Sequence, residues 1–158
     1  MKKLILFLVL TVIPVMGFSN TLTIKKVHAG DLIEFEGGFT ARLTGITVPD
    51  KTTKLGYEVY DFTKRTLEGK IVKVFTYTTN NTASGIVYNE DGHAFVQIVY
   101  GSSPKSKDWS TNFNELLLEK GYAKVNEKYL PEDLQHFKEI EQKARGANLG
   151  MWKKEKSK

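Results

Sequence analysis

The chain predicts a mainly β domain with helices, an α+β fold built on a five-stranded barrel with three helices. Three observations predict it. The first half beyond the leader breaks into short runs rich in β-branched and aromatic residues, separated by small or glycine-containing turns. One helical segment falls between the third and fourth of these runs, and two further helical segments follow the fifth.

The elements follow in order. MKKLILFLVLTVIPVMGFS carries two lysines, an apolar run from Leu4 to Val15, and small residues at Gly17 and Ser19. That is the layout of a secretory signal peptide over residues 1–19, and the run is short for a membrane span, which needs about 20 apolar residues. TLTIKKV, DLIEFE and FTARLTGI then read as strands joined by turns at Ala29-Gly30 and Gly37-Gly38. In DLIEFE, Leu32 and Phe35 do not alternate strictly with the acids, which predicts burial on both faces at one end. A helix is expected over about 57–67, with Tyr57, Tyr60 and Phe62 sharing a broad face with Leu67 and Glu68-Gly69 ending it. IVKVFTY (71–77) and HAFVQIVY (93–100) read as the remaining strands, with a loop between them that leaves room for a short strand at Ile86 to Tyr88.

GSSPKSKDWST leads to a short helix with Phe113, Leu116 and Leu117 on one side and Gly121 at its end. Pro131, Glu132 and Asp133 form a good first turn for the last helix, since proline fits there and acids favour the N-terminal dipole. Leu134, Phe137, Ile140 and Ala144 make its apolar stripe, and Trp152 docks beyond its end. Five strands and three helices in this order predict the OB-fold, the commonest five-stranded barrel of that kind. One domain is expected over residues 20–152, followed by a basic tail at 153–158, and no interface signal stands out, so a monomer is the expected state.

Removing Lys2 and Lys3 from the 23 basic residues leaves 21 against 18 acidic ones, a formal charge of +3 beyond the leader. A mildly basic surface permits a nucleic-acid partner without demanding one. The chain has no cysteine, so packing rather than disulfides must hold an exported domain. Any metal would take oxygen or histidine ligands. Chemistry concentrates in HAGDLIEFEGGFTARLTGITVPD (28–50). Asp31 lies eleven residues before Arg42, and Asp50 follows eight later behind Pro49. Acid, arginine and acid on paired strands suit a site that holds a metal ion and a phosphate.

These blocks resemble a known family. AGDLIEF followed by ARLTGITVPD is similar to the D-G-D-T turn and R-L-x-G-I-D-x-P-E strand of staphylococcal (micrococcal) nuclease. NEDGHAFVQIVY resembles its D-x-x-G-R-x-L-A-x-V stretch, and FNELLLEKGYAKV its V-N-x-x-L-V-x-x-G-x-A helix and strand end. The blocks run in the family's order over about Leu22 to Trp152. The resemblance implies an OB barrel with three helices and a secreted, calcium-dependent phosphodiesterase. In that family two aspartates and a backbone carbonyl bind Ca²⁺, two arginines hold the phosphate, a glutamate handles the attacking water, and aromatics line the cleft.

Carried across, Asp31 falls on the first calcium aspartate, Arg42 on the first phosphate arginine, and Asp50 on the glutamate, one methylene shorter. Thr47 falls on the second calcium aspartate, Val48 on the residue whose carbonyl helps bind the metal, His93 on the second arginine, and Tyr129 on a cleft tyrosine, while Glu127 falls on another. Each has a plainer reading. Asp31 suits a turn, Thr47 is a β-branched strand residue, Arg42 one end of a surface salt bridge, Asp50 a helix-entry acid, and His93 a surface turn residue. His28, close to the Asp31 turn, joins Asp31, His93 and Asp50 in an alternative transition-metal set.

The leading expectation is a secreted or periplasmic nuclease that hydrolyses phosphodiester bonds in DNA or RNA with Ca²⁺, weakened by one missing carboxylate. The alternative is a catalytically inactive OB module that binds nucleic acid or another extracytoplasmic ligand. A small-ligand or protein-binding domain is the third class the modest charge allows.

Overall fold

The structure is a computed structural model and describes residues 19–79, 85–103, 108–129 and 134–153, without the side chains of residues 19, 20 and 129. Residues 1–18 of the expected leader, the Pro131–Asp133 turn and the tail beyond residue 153 lie outside the described residues, while Ser19 begins the first strand. β1 (Ser19–Ala29), β2 (Leu32–Phe35) and β3 (Thr40–Leu43) form an antiparallel meander. β4 (Ile46–Thr47) follows, and α1 (Lys54–Leu67) crosses over to β5 (Ile71–Thr76). β5 pairs antiparallel with both β1 and β6 (Ala94–Tyr100), and β3 runs parallel to β6, which closes a five-stranded mixed barrel. β7 (Thr111–Asn112) pairs antiparallel with the end of β6, α2 (Phe113–Glu119) and α3 (Leu134–Gly146) pack together, and β8 (Lys124–Val125) pairs with β4.

Period-two burial fills the barrel. Ile33 and Phe35, Ala41 and Leu43, Val72 and Val74, and Ala94, Val96 and Ile98 all point inward and are buried. Leu32 and Glu34 stand on the outer face, half-buried, so β2 alternates cleanly where burial on both faces was expected. Ile33 is the core residue that the expected pairing of Leu32 with Phe35 passed over. Residues 86 and 88 make isolated bridges to Thr78 and Ala94 rather than a strand.

α1 starts three residues earlier than expected because the Thr53 hydroxyl accepts from the Gly56 amide at 3.0 Å and caps it. Its buried stripe is Gly56, Val59, Thr63 and Leu67, not the aromatic face. Tyr57 stays 60% exposed. The reason is close approach: a Cβ on Gly56 would lie 1.8 Å from the Asp50 carbonyl oxygen, so only glycine lets the helix sit there. On α3, Phe137, Ile140 and Ala144 are buried as the stripe predicted, and the Arg145 guanidinium stacks 3.9 Å over the Trp152 ring.

Asn114, fully buried at the start of α2, ties the helices to the barrel. Its Oδ1 accepts from the Ile98 amide (3.2 Å), and its Nδ2 donates to the Thr44 (2.9 Å) and Val96 (3.2 Å) carbonyls. The side chain thus continues the ladder of β6 where β3 has run out.

Candidate functional site

The turn between β1 and β2 is held from behind. Thr63 on α1 donates its hydroxyl to the Gly30 carbonyl at 3.0 Å, and a Cβ on Gly30 would lie 2.7 Å from Val59. Asp31 leaves this turn and its carbonyl accepts from the Leu43 amide at 2.9 Å, which binds the turn to β3. Because Ala41 and Leu43 fill the core, Arg42 between them is forced to the outer face. There its Nη1 donates to both carboxylate oxygens of Asp31 at 3.0 Å. The pair is part-buried, with Asp31 13% and Arg42 31% exposed at the side chain. Asp31 and Arg42 are therefore brought together, as the spacing implied.

The other sequence-derived positions each have engagements of their own. Arg42 pairs in register with Phe95 on β6, and His93 lies two residues before Phe95, hence on the same face. The His93 amide donates to Asn89 Oδ1 (2.8 Å) in a turn that Gly92 completes at φ +79°, and its half-buried ring leaves Nδ1 buried without a hydrogen-bond partner. Asp50 is exposed. Its Oδ1 accepts from the Thr52 amide (2.8 Å) and hydroxyl (2.6 Å), which holds its carboxyl below the usual aspartate range, the hydroxyl contact first. Its backbone carbonyl accepts from the Thr53 amide and hydroxyl, so Asp50 organises the entry to α1. Thr47 accepts from Asn126 Nδ2 at 3.1 Å. Thr47, Val48, Pro49 and Met151 belong to the lining of an open, mainly apolar depression of about 390 Å³. Tyr129 closes a short 3-10 turn (Glu127–Tyr129), and its side chain lies outside what the structure describes.

Residues that sequence reasoning did not place complete the surroundings. Glu34 accepts from Lys25 Nζ (2.7 Å) and from His28 Nε2 (2.8 Å), and its carboxyl is held below the usual range, first by the Lys25 bond and then by the His28 bond. Position on the outer face of β2 was the available signal for Glu34. Asn126 carried none.

A calcium site takes six to eight oxygens and gains affinity with each carboxylate. The family positions here supply one carboxylate, both of whose oxygens accept from Arg42, one hydroxyl already bonded by Asn126, and the Val48 carbonyl. Among the described residues no group of three His, Cys, Asp or Glu side chains stands ready to hold a metal. This donor set does not fit a two-carboxylate calcium site.

A closed mixed barrel with three helices and an arginine–aspartate pair on its outer face defines an OB-fold domain of nuclease type. Residues 40–154, more than half of the chain, match the family described as staphylococcal nuclease homologue, and the chain belongs to that family. The match spans Arg42, Thr47, Val48, Asp50, His93 and Tyr129 and begins after Asp31. No curated protein matches the chain. Domains of the family bind nucleic acid and are generally Ca²⁺-dependent. No helix among the described residues is long and apolar enough to cross a membrane.

Proposed function

We propose that this is an extracytoplasmic, nuclease-type domain that grips the phosphodiester backbone of DNA or RNA at Arg42 and hydrolyses it slowly, acting as a monomer after loss of residues 1–19. The observation that carries the reading is the Asp31–Arg42 pair on the outer face, which presets a guanidinium for a phosphate. Arg42 has five N–H donors in a planar fork, so a phosphate can share it with Asp31. Charge that gathers on the phosphate oxygens in the transition state meets that fork. Asp50, ionised and steadied by Thr52, orients or deprotonates water with the oxygen that Thr52 does not use. Its lowered proton affinity and an arm about 1.5 Å shorter than glutamate both weaken it as a base, since catalysis is sensitive to misplacement on that scale. His93 supplies one hydrogen bond or a proton where an arginine would supply two prongs.

A second reading has its own observation. Asn126 holds the Thr47 hydroxyl and Arg42 occupies both Asp31 oxygens, an arrangement that favours binding without cleavage. The test is the purified protein from residue 20 on single-stranded DNA and RNA, with calcium, with other divalent ions and with chelator. Cleavage that disappears in Arg42→Ala and Asp31→Ala supports hydrolysis. Salt-sensitive binding without cleavage under every ion leaves only the second reading, and neither binding nor cleavage defeats both.

A further inference from the structure

Beside the Asp31 turn, a lysine and two tyrosines form a cluster that the quoted family motifs do not include. Lys51 lies 3.4 Å from the centroid of the Tyr60 ring, and its Nζ donates to the His28 carbonyl at 3.1 Å. The ammonium is thus held at a fixed place beside the turn that carries Asp31, instead of sweeping solvent on a flexible stem. One hydrogen bond uses one of its three N–H donors, and Lys51 is exposed, so the others face water. Tyr57 stands next to Tyr60, ring centroids 5.9 Å apart, and at 60% is the most exposed large apolar side chain among the described residues. Both tyrosines lie off the buried stripe of α1, so packing of the helix does not require the Tyr57 ring.

The two acids that follow on α1 do not cancel the lysine. Glu58 accepts from the Tyr122 hydroxyl at 2.7 Å, and Asp61 is paired with Arg65 at 2.8 Å. Asp50, just before Lys51, turns one carboxylate oxygen to the Thr52 amide and hydroxyl, and on β1 Lys25 and His28 are paired with Glu34, so Lys51 is the cation available here. What the surface beside the turn offers is an exposed lysine next to an exposed aromatic ring, the pair that single-stranded nucleic acid meets through a phosphate and a stacked base.

We infer that Lys51 and Tyr57 form a second contact for single-stranded nucleic acid, Lys51 holding a phosphate and Tyr57 stacking a base, beside the Asp31 turn and apart from the Asp31–Arg42 pair. The inference rests on the proposed engagement of a phosphate at Arg42 and extends it by at least one nucleotide. Stacking on a tyrosine face does not read base identity, so the contact is tolerant of sequence.

The experiment measures affinity for labelled oligothymidylates of about 4 and about 16 nucleotides, lengths that bracket the site size of one OB fold. The wild-type protein, Tyr57→Ala, Tyr57→Trp, Lys51→Met and Arg42→Ala are compared over a range of salt. Tyr57→Ala should lose about tenfold on the longer strand and much less on the shorter, and Tyr57→Trp should keep wild-type affinity, because a ring and not a hydroxyl is needed. Lys51→Met should lower the slope of log affinity against log salt by about 0.7, the value for one phosphate on a single strand. Thermal melts that match wild type keep the Tyr57 comparison free of folding effects. If wild type binds and Arg42→Ala does not, while Tyr57→Ala is unchanged on the longer strand, the inference falls and the Arg42 reading stands. If wild type binds neither strand, the underlying reading falls with it.

Discussion

Asn114 is the sharpest place to test the architecture that supports the cleft. Replacing it with alanine removes one acceptor and two donors in a fully buried position. The Ile98 amide loses its acceptor, and a buried N–H left unpaired costs about 1–3 kcal/mol. The Thr44 and Val96 carbonyls each lose a donor, at about 0.5–1.5 kcal/mol for a typical hydrogen bond; Val96 oxygen keeps the Thr44 amide at 2.8 Å, so its loss is at the low end. The total comes to about 3–4 kcal/mol. Urea unfolding followed by tryptophan fluorescence reads it directly. With a slope of about 2 kcal/mol/M the midpoint should fall by nearly 2 M at unchanged slope. Asn114→Asp tests the direction of the bonds. It keeps the acceptor for Ile98 but turns a second oxygen toward two carbonyls, so its carboxyl is pushed up in the folded state. That variant should be more stable relative to wild type below the ordinary aspartate range and lose ground as pH rises through the raised value. A loss under about 1 kcal/mol for Asn114→Ala, at unchanged slope, would refute the account of Asn114 as the continuation of the β6 ladder.

Other outcomes follow from single contacts. Gly56→Ala should destabilise by about 2 kcal/mol or more, although alanine is the better helix former by about 1 kcal/mol, because the new Cβ meets the Asp50 carbonyl; a rise in melting temperature would contradict the close approach. Thr47→Asp restores a second carboxylate beside Asn126 and should create a calcium-dependent rise in melting temperature that wild type lacks, a readout independent of activity. Asp31→Asn removes the negative charge beside Arg42 and should raise affinity for oligonucleotide by up to about fivefold, while abolishing any cleavage; weaker binding would show that Asp31 chiefly positions the guanidinium. Tyr122, bonded to Glu58, has its phenol pushed up to about 12. That bond favours the folded state below the ordinary tyrosine value and its contribution disappears as pH rises through about 12. Burial also raises Tyr100, so ultraviolet titration should show late tyrosines of which Glu58→Gln moves only the Tyr122 component earlier.

What was legible in the sequence and what was not divide along sequence separation. The barrel strands could be read because β-branched alternation is local, and the eleven-residue spacing of Asp31 and Arg42 is a hairpin spacing that puts both ends near one another. The resemblance added order and closure, which periodicity alone leaves open. Leu32 misled because residue type was weighed above position: Ile33 and Phe35 take the core and Leu32 stays on the outer face. Tyr57, Tyr60 and Phe62 misled on α1 for a related reason, since the helix approaches the barrel through Gly56 and the apolar mass lies to either side. Asn126 reaches Thr47 across 79 residues and Lys51 reaches the His28 carbonyl across 23, contacts that no local pattern encodes.

The charge at the cleft brings these pieces into one argument. Arg42 paired with Asp31 is preset in direction but close to neutral as a pair, so its pull on a distant phosphate is weak and its grip matters only at contact. Cations that reach solvent must therefore do the gathering, and Lys51, fixed against Tyr60 beside the same turn, is placed to do so. In a site with a second carboxylate a bound dication would offset both acids and let Arg42 act as a free charge. On the proposed function, with Thr47 neutral and already bonded, retention of the strand draws on Lys51 and Tyr57 as well as Arg42, and bond cleavage on Asp50. Binding and hydrolysis would thus draw on partly different residues, which a variant series can separate: changes at Lys51 and Tyr57 should move affinity at constant turnover, and changes at Asp50 should move turnover at constant affinity.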